Sequence, residues 1–327
     1  MKRSIVSILK VVLPIALGIF LIWIVARKFT PKDINEIKGS FEKANYGWIF
    51  LCIFLGILSH ASRAWRWKYT LEPLGIKPTF YNSFFSVMIG YFANMAIPRL
   101  GEVSRCAVMA KYEKAPFDKL FGTVIAERVA DMLILLTLII TVLFMQFDTL
   151  KELFFNTSIG QKLSGPLFYI LIAVFLLLGL FLFKLIKNSS LPFFEKIRQL
   201  LGGVFEGIRS IINMKQRVAF LFHTLFIWSM YLLMLWVAFF SLEETSQIPF
   251  SGVMSCFVMG GITIAATNGG LGAYPLGIQS VLLLYGVTAN AGYAFGWIVW
   301  TAQAIMLVGL GILSLILVPL FNKNPKA

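Results

Sequence analysis

The sequence contains few of the residues from which soluble catalytic and metal sites are built. It has two histidines and three cysteines, Cys52, Cys106 and Cys256, without CxxC spacing. This pattern predicts neither a disulfide framework nor a metal site. The H-E-x-x-H, Walker A and G-x-S-x-G patterns are also missing from the sequence. We therefore expect no catalytic residue, no bound metal and no cofactor.

Charged residues are scarce as well, and acidic ones most of all. They make up 13% of the chain against 58% apolar residues, with a mean hydropathy of +0.82, which predicts an integral membrane protein. The formal net charge of +14 would suggest nucleic acid in a soluble chain. Here the lysines and arginines fall in short loops between apolar runs, where they act as topology signals, so no nucleic-acid partner is expected.

The apolar runs predict an all-α polytopic membrane protein with about six full spans. A helix needs about 20 apolar residues to cross the hydrocarbon core. The spans are placed at about residues 8–26, 47–62, 121–145, 167–186, 218–240 and 293–320. A basic loop that contains Arg63, Arg66 and Lys68 is predicted directly after the second span. The spacing of apolar residues over 190–213 predicts a cytoplasmic interfacial amphipathic helix.

Two further apolar segments are interrupted, and we interpret them as re-entrant hairpins. The first turns at Pro98 and Gly101. Because proline lacks an amide hydrogen and glycine tolerates unusual dihedrals, backbone groups are freed at this tip. The second turns at residues that can offer backbone amides to an anion: Asn268, Gly269, Gly270 and Gly272. A plain glycine turn that permits tight packing is the alternative for the second hairpin.

The distribution of positive charge predicts the topology. If both hairpins return to the side from which they enter, most of the 29 lysines and arginines lie on the cytoplasmic side, as the positive-inside rule requires. Both termini are then cytoplasmic. Within a single membrane domain, 1–327, the halves 1–145 and 166–327 follow one plan in opposite orientation. Such an inverted repeat with paired interrupted segments is typical of transporters.

Ionisable side chains accompany the first hairpin and the helix after it: Arg99, Glu102, Arg105, Glu127, Arg128 and Asp131. Each costs about 2.5–3.5 kcal/mol at membrane depth, so they should face a partner or a wet cavity. If the arm is helical, the first three share roughly one face, and their net positive charge suits a phosphate. Asn94 completes this candidate substrate-binding set. The alternative, which is compatible with substrate binding, is that the six groups hold hairpin and helix together by ion pairs.

These residues carry a resemblance to a known family. The motif Pro98-x-x-Gly101-Glu102-x-x-Arg105, the later Glu127-Arg128-x-x-Asp131 and the glycine turn resemble the transmembrane region of lysylphosphatidylglycerol synthases. That region also occurs as a stand-alone, flippase-like UPF0104 family. The resemblance implies a protein of the bacterial cytoplasmic (inner) membrane that moves a lipid between leaflets. It does not imply lysine transfer, which belongs to a separate synthase domain.

One position departs from this family. Members often have a glutamate shortly after the glycine motif, where this sequence has Tyr274-Pro275. No proton-relay role is therefore assigned to the second hairpin.

The sequence thus predicts a flippase-like lipid transporter rather than an enzyme. Its partner would be a membrane lipid with an anionic, phosphate-bearing head group. The alternative is a membrane-embedded enzyme or accessory subunit acting on a polyprenyl-phosphate or aminoacyl-lipid substrate. A separate synthase or glycosyltransferase would then be its protein partner.

Overall fold

The computed structural model describes residues 15–27, 29–147, 195, 202 and 208–323, and every regular element among them is helical. The predicted span at 167–186 and most of the predicted amphipathic helix at 190–213 lie outside these residues. The chain divides into two compact units, Met1–Ile125 with Met214–Ala327, and Ala126–Asn213.

The described helices follow the predicted apolar segments closely. In chain order, the helices with ten or more described residues are α1 (Ile15–Ala26), α2 (Pro31–Lys43), α3 (Tyr46–Leu71), α4 (Phe80–Ala96), α5 (Leu100–Glu113), α6 (Phe117–Met145), α7 (Arg217–Ala238), α8 (Phe250–Ala266), α9 (Ala273–Leu283) and α10 (Ala289–Phe321). Helices long and apolar enough to cross a membrane lie at Tyr46–Leu74, Phe117–Met145, Arg217–Ser241 and Ala289–Phe321. Together with the shorter apolar helices, they confirm a polytopic membrane protein.

Helix α3 is longer than the sequence predicted, and the predicted basic loop at Arg63 and Arg66 is wrong. No glycine or proline occurs between Ile57 and Glu72, so nothing in the local sequence stops the helix before Pro73. Both arginines lie in the last third of α3 and are buried. The two tryptophans around Arg66 also differ, since Trp65 is exposed and Trp67 is buried.

Helices α4 and α5 form the first hairpin and run antiparallel. At the tip, the Gly101 amide donates to Asn94 Oδ1 at 2.7 Å. At the base, Glu113 Oε1 accepts hydrogen bonds from the Thr79 amide at 2.9 Å and from Asn82 Nδ2 at 2.8 Å. Side-chain contacts at both ends therefore fix the register of the two helices.

Helices α8 and α9 form the second hairpin. Its turn contains three glycines with positive φ, namely Gly269, Gly270 and Gly272, a conformation that residues with a Cβ atom rarely adopt. A Cβ atom on Gly260 of α8 would lie 2.7 Å from the Tyr274 ring of α9, which shows how closely the two helices approach.

The two hairpins open toward opposite ends of α10, and their tips meet. Asn82 at the base of the first hairpin exchanges side-chain amide hydrogen bonds with Asn322, just after α10 ends. The second hairpin leads directly into the start of α10, because α9 ends at Leu283 and α10 begins at Ala289. Between these ends, Asn268 Nδ2 donates to the Met95 carbonyl oxygen at 2.9 Å.

Candidate functional site

The candidate site residues of the first hairpin lie at its tip and in the first turns of α5. Arg99 is the N-cap of α5, is exposed, and has a left-handed backbone with φ 66°. It therefore precedes the first helical turn, and the predicted single helical face comprises Glu102 and Arg105 without it. Glu102 is partly buried and Arg105 is buried. Pro98 precedes this turn, where the chain leaves α4.

Gly101 lies where α4 and α5 approach each other most closely. A Cβ atom at Gly101 would contact the Gly90 carbonyl oxygen and would lie 2.5 Å from the Asn94 side chain. Small residues at helix contacts let backbones approach in this way inside membranes. Asn94 accepts a hydrogen bond from the Gly101 amide and so has a structural role in the turn. It is also among the candidate substrate-binding residues predicted from the sequence.

Arg105 contacts α3 through an aromatic ring. Its guanidinium carbon lies 3.7 Å from the centroid of the Trp67 ring. The Trp67 indole N–H donates to Thr123 Oγ1 at 2.9 Å. A cation over the face of tryptophan is stabilised electrostatically, more strongly when both are away from water. The contact therefore holds the Arg105 guanidinium beside α3.

The sequence interpretation missed two buried arginines on α3. Arg66 is 0% exposed and Arg63 is 4% exposed. Arg66 Nη1 donates to Thr224 Oγ1 of α7 at 3.0 Å, and its guanidinium carbon lies 5.2 Å from the Phe220 ring centroid. The guanidinium carbon of Arg63 lies 6.0 Å from the Tyr91 ring centroid. Their three-residue spacing inside an otherwise apolar helix was the available signal.

Polar side chains continue from these arginines along the α3–α7 contact. Ser62 Oγ and His223 Nδ1 are 2.8 Å apart. The hydroxyl groups of Tyr91 and Tyr231 are 3.3 Å apart, and the buried His60 ring lies 4.6 Å from the Tyr91 ring. This part of the helix contact is therefore far more polar than a purely structural apolar seam requires.

The remaining predicted charges lie on α6, in the second unit. Glu127 and Asp131 are buried, whereas Arg128 is exposed. The two carboxylates are four residues apart and therefore share one face of the helix.

The tip of the second hairpin carries one buried polar side chain. Asn268 is buried and bonds to the first hairpin, and the Gly269 carbonyl oxygen accepts a hydrogen bond from Trp300 Nε1 at 2.8 Å. Gly272 lies against α1, because a Cβ atom there would be 2.5 Å from the Gly18 carbonyl oxygen. These contacts use much of the turn for packing, as the alternative interpretation of a plain glycine turn requires.

Metal binding has no candidate in the described part of the chain. No group of three or more histidine, cysteine, aspartate or glutamate side chains there could hold an ion. The charged groups of the site are arginines and carboxylates.

Comparison with known proteins places this arrangement in a family. A family model described as the lysylphosphatidylglycerol synthase TM region matches residues 11–319. The chain belongs to this family. A curated UPF0104 membrane protein of Methanocaldococcus jannaschii is 32% identical over 106 residues. That stretch is 32% of each protein, so the chain is aligned with about a third of its curated relative. No solved structure matches the chain.

The predicted resemblance is thus confirmed for nearly the whole chain. In this member of the lysylphosphatidylglycerol synthase TM family, Pro98, Gly101, Glu102 and Arg105 surround the turn into α5. The arginine of that motif, Arg105, contacts Trp67 on α3. Planar guanidinium groups held against rings can present their N–H donors sideways to an anion with several oxygens.

Proposed function

We propose that the protein binds an anionic, phosphate-bearing membrane lipid and moves it between leaflets. The observation that carries the proposal is the meeting of two helical hairpins at Asn268 and Met95, beside a helix that carries the buried Arg105. In transporters, interrupted helices that meet near mid-membrane commonly form the substrate site. The lipid head group would enter beside the hairpins while its chains stay in the bilayer.

The charged residues predicted for the site have the following roles in this proposal. Arg99 and Arg105 contact the phosphate, since arginine forms two parallel hydrogen bonds to such oxygens. Glu102 orients the arginines or takes up and releases protons during transport. Glu127, Arg128 and Asp131 keep their predicted roles in substrate binding or proton exchange. Arg128→Ala and Asp131→Asn, assayed for transport, test that prediction on α6.

The membrane arrangement belongs to the same proposal. Six spans and two re-entrant hairpins would form an inverted repeat of residues 1–145 and 166–327, with both termini on the cytoplasmic side of the bacterial inner membrane. The opening of the two hairpins toward opposite ends of α10 supports this layout. A site reached from each side in turn is what alternating access requires.

Translocation of labelled phosphatidylglycerol in proteoliposomes tests the function. We expect the wild type to exceed protein-free liposomes, and the Arg99→Ala/Arg105→Ala variant to lose most of that rate. Arg105→Lys keeps the charge but not the two-pronged geometry, so a reduced rate is expected in a variant that folds. Lys111→Ala, which changes an exposed lysine on the same helix, is the matched control. Equal rates for wild type and protein-free liposomes would refute the proposal.

A membrane-embedded enzyme or accessory subunit is the second candidate, because the family description names a synthase. Its substrate would be a polyprenyl-phosphate or aminoacyl-lipid. Incubation of the purified protein with such a lipid, followed by mass spectrometry, separates the candidates. A new covalent product favours the enzyme, a product that needs an added synthase or glycosyltransferase favours the accessory role, and an unchanged lipid that has crossed the bilayer favours the transporter.

A further inference from the structure

We propose that Arg63 and Arg66 of α3, together with Arg105 of α5, form the binding site for the phosphate group of the lipid. This inference rests on the proposed function and adds two residues that the sequence analysis did not assign to the site. The site takes a phosphate monoanion that carries an apolar tail.

The burial of the three arginines is the first observation. Arg63 is 4%, Arg66 is 0% and Arg105 is 6% exposed. Arginine within a membrane span is costly and faces a partner, a cavity or a substrate path. In the unit formed by residues 1–125 and 214–327, the buried charged side chains described are these arginines. When no lipid is bound, these arginines would pair with carboxylates of the protein. A phosphate would then displace those carboxylates or bind to the arginines beside them.

The second observation is that Arg63 and Arg105 lie beside the same level of α4. Arg63 lies against Tyr91. The adjacent residue, Gly90, approaches Arg105 so closely that a Cβ atom there would lie 3.2 Å from Arg105 Cβ. On α3, Arg63 and Trp67 are four residues apart and share a face, and Trp67 supports Arg105. Arg66 is three residues from Arg63 on α3 and contacts Thr224 and Phe220 of α7.

The third observation is how the guanidinium groups are held. The guanidinium carbon lies over the centroid of an aromatic ring, at 3.7 Å for Arg105 and at 5.2 Å for Arg66. Stacking on a ring leaves the in-plane N–H donors directed to the sides. One of them, on Arg66, already bonds to Thr224 and fixes the orientation. Such preorganised forks match the tetrahedral oxygens of a phosphate better than a flexible ammonium group does.

Native mass spectrometry of lipid binding tests the inference. The probes are phosphatidylglycerol, diacylglycerol with the same chains, and inorganic phosphate. The variants are Arg63→Gln, Arg66→Gln and their double mutant, with Lys68→Gln as the matched control because Lys68 is exposed on the same helix. Arg63→Lys and Arg66→Lys provide folded substitutes if a glutamine variant does not elute as a single species on size exclusion.

We expect the wild type and Lys68→Gln to bind phosphatidylglycerol alike. Each glutamine or lysine substitution at Arg63 or Arg66 should weaken binding by about tenfold, as loss of one charge-assisted contact predicts. Diacylglycerol binding should not change. Equal phosphatidylglycerol affinity of wild type and variants overturns the inference. Inorganic phosphate that binds as tightly as the lipid would assign the site to a soluble anion and would also overturn it.

The outcomes for the two proposals are distinguishable. If wild-type protein binds phosphatidylglycerol through Arg63 and Arg66 but translocates none, the transport function fails while the site stands. If wild type and the Arg63/Arg66 variants bind and translocate the lipid equally well, the function stands and this site is wrong.

Discussion

Arg99 has a backbone conformation that a residue with a side chain rarely adopts. Its φ is 66°, and Lys114, at the other end of α5, has a φ of 53°. The left-handed region costs an L-residue about 1–2 kcal/mol. Both positions are exposed, so packing does not explain why glycine is absent from them. At Arg99, the proposed contact with phosphate supplies a reason to keep the side chain.

Because Arg99 is proposed to contact phosphate and Lys114 is not, replacement by glycine should change stability at both positions but transport only at Arg99. Arg99→Gly and Lys114→Gly should each raise the free energy of unfolding by about 1 kcal/mol, because glycine removes the left-handed penalty. Only Arg99→Gly should slow lipid translocation. Unfolding in detergent and translocation in proteoliposomes measure the two properties. If Arg99→Gly translocates as fast as Lys114→Gly, Arg99 does not contact the substrate.

The substitution Gly101→Ala tests the close contact between α4 and α5 in the first hairpin. In Gly101→Ala the new methyl group would meet the Gly90 carbonyl oxygen and the Asn94 side chain. We expect a loss of about 1–3 kcal/mol in unfolding free energy, typical of overpacking. Gly122→Ala on α6 is the control, because no heavy atom outside its own helix backbone lies within 4 Å of the added carbon. Unfolding in detergent measures both, and equal stability of the two variants would contradict the described tip.

At the scale of elements, α2 is attached to α10 by hydrogen bonds between side chains. Asn290 Nδ2 donates to Asp33 Oδ1 at 2.9 Å and to Glu36 Oε2 at 2.6 Å. Thr30 and Asp33 also form a reciprocal cap at the start of α2. The bond from Asn290, followed by those from Thr30, lowers the pKa of Asp33 from 3.8 to about 2.

This pKa predicts how the attachment of α2 depends on pH. Because the folded-state pKa lies below the unfolded value, the Asp33 contribution to stability is fully present above about pH 4 and is lost as the pH falls toward 2. The melting temperature of the wild type should therefore fall between pH 5 and pH 2.5 by more than that of Asp33→Asn. Parallel curves for the two proteins would contradict the described contacts of Asp33.

The elements differ in how far the sequence could predict them. Pro98 and the late glycines mark both hairpin turns because they interrupt apolar runs that would otherwise continue. The start of α2 was readable from Thr30-Pro31 and Asp33, which match a capping box, although no element was predicted between the spans at 8–26 and 47–62. The contact between Asn268 and Met95 joins residues 173 positions apart. No local pattern predicts such a contact, because it depends on packing between distant helices.

The arginines of α3 show a second limit of the sequence. Alternating arginine and tryptophan after an apolar run are equally compatible with an interfacial loop and with a helix that continues beneath other helices. The decision depends on partners supplied by other parts of the chain, such as Thr224 of α7. No α3 residue was therefore named for the site from the sequence. The structure places Glu102 and Arg105 on α5 after the hairpin turn, and their role in substrate binding stays a prediction.

At the scale of the whole chain, the two ends of α10 connect different parts of the first unit. Its end contacts the base of the first hairpin through Asn322 and Asn82. Its start contacts α2 through Asn290 and Asp33, and directly follows the second hairpin. A helix of 33 residues is about 50 Å long, which exceeds the hydrocarbon core of a bilayer. The two hairpin bases should therefore face opposite sides of the membrane.

Cysteine labelling in intact cells and inverted vesicles tests this expectation. Lys114→Cys and Lys323→Cys should react with a membrane-impermeant maleimide from one side, and Lys32→Cys and Ala289→Cys from the other. The native cysteines Cys52, Cys106 and Cys256 are buried and should contribute little background. The positive-inside rule assigns the first pair to the cytoplasm, because the connection that contains Lys114 is basic.

The labelling pattern also decides what kind of transport is possible. If Lys114→Cys and Ala289→Cys react from opposite sides, each hairpin brings its tip to the shared contact at Asn268 from its own compartment. A lipid head group at that contact could then be exposed to either side by displacing one hairpin at a time, which is how paired interrupted helices support alternating access. If both cysteines react from the same side, no such exchange follows from the hairpins, and the inverted repeat must be abandoned together with the transport mechanism built on it.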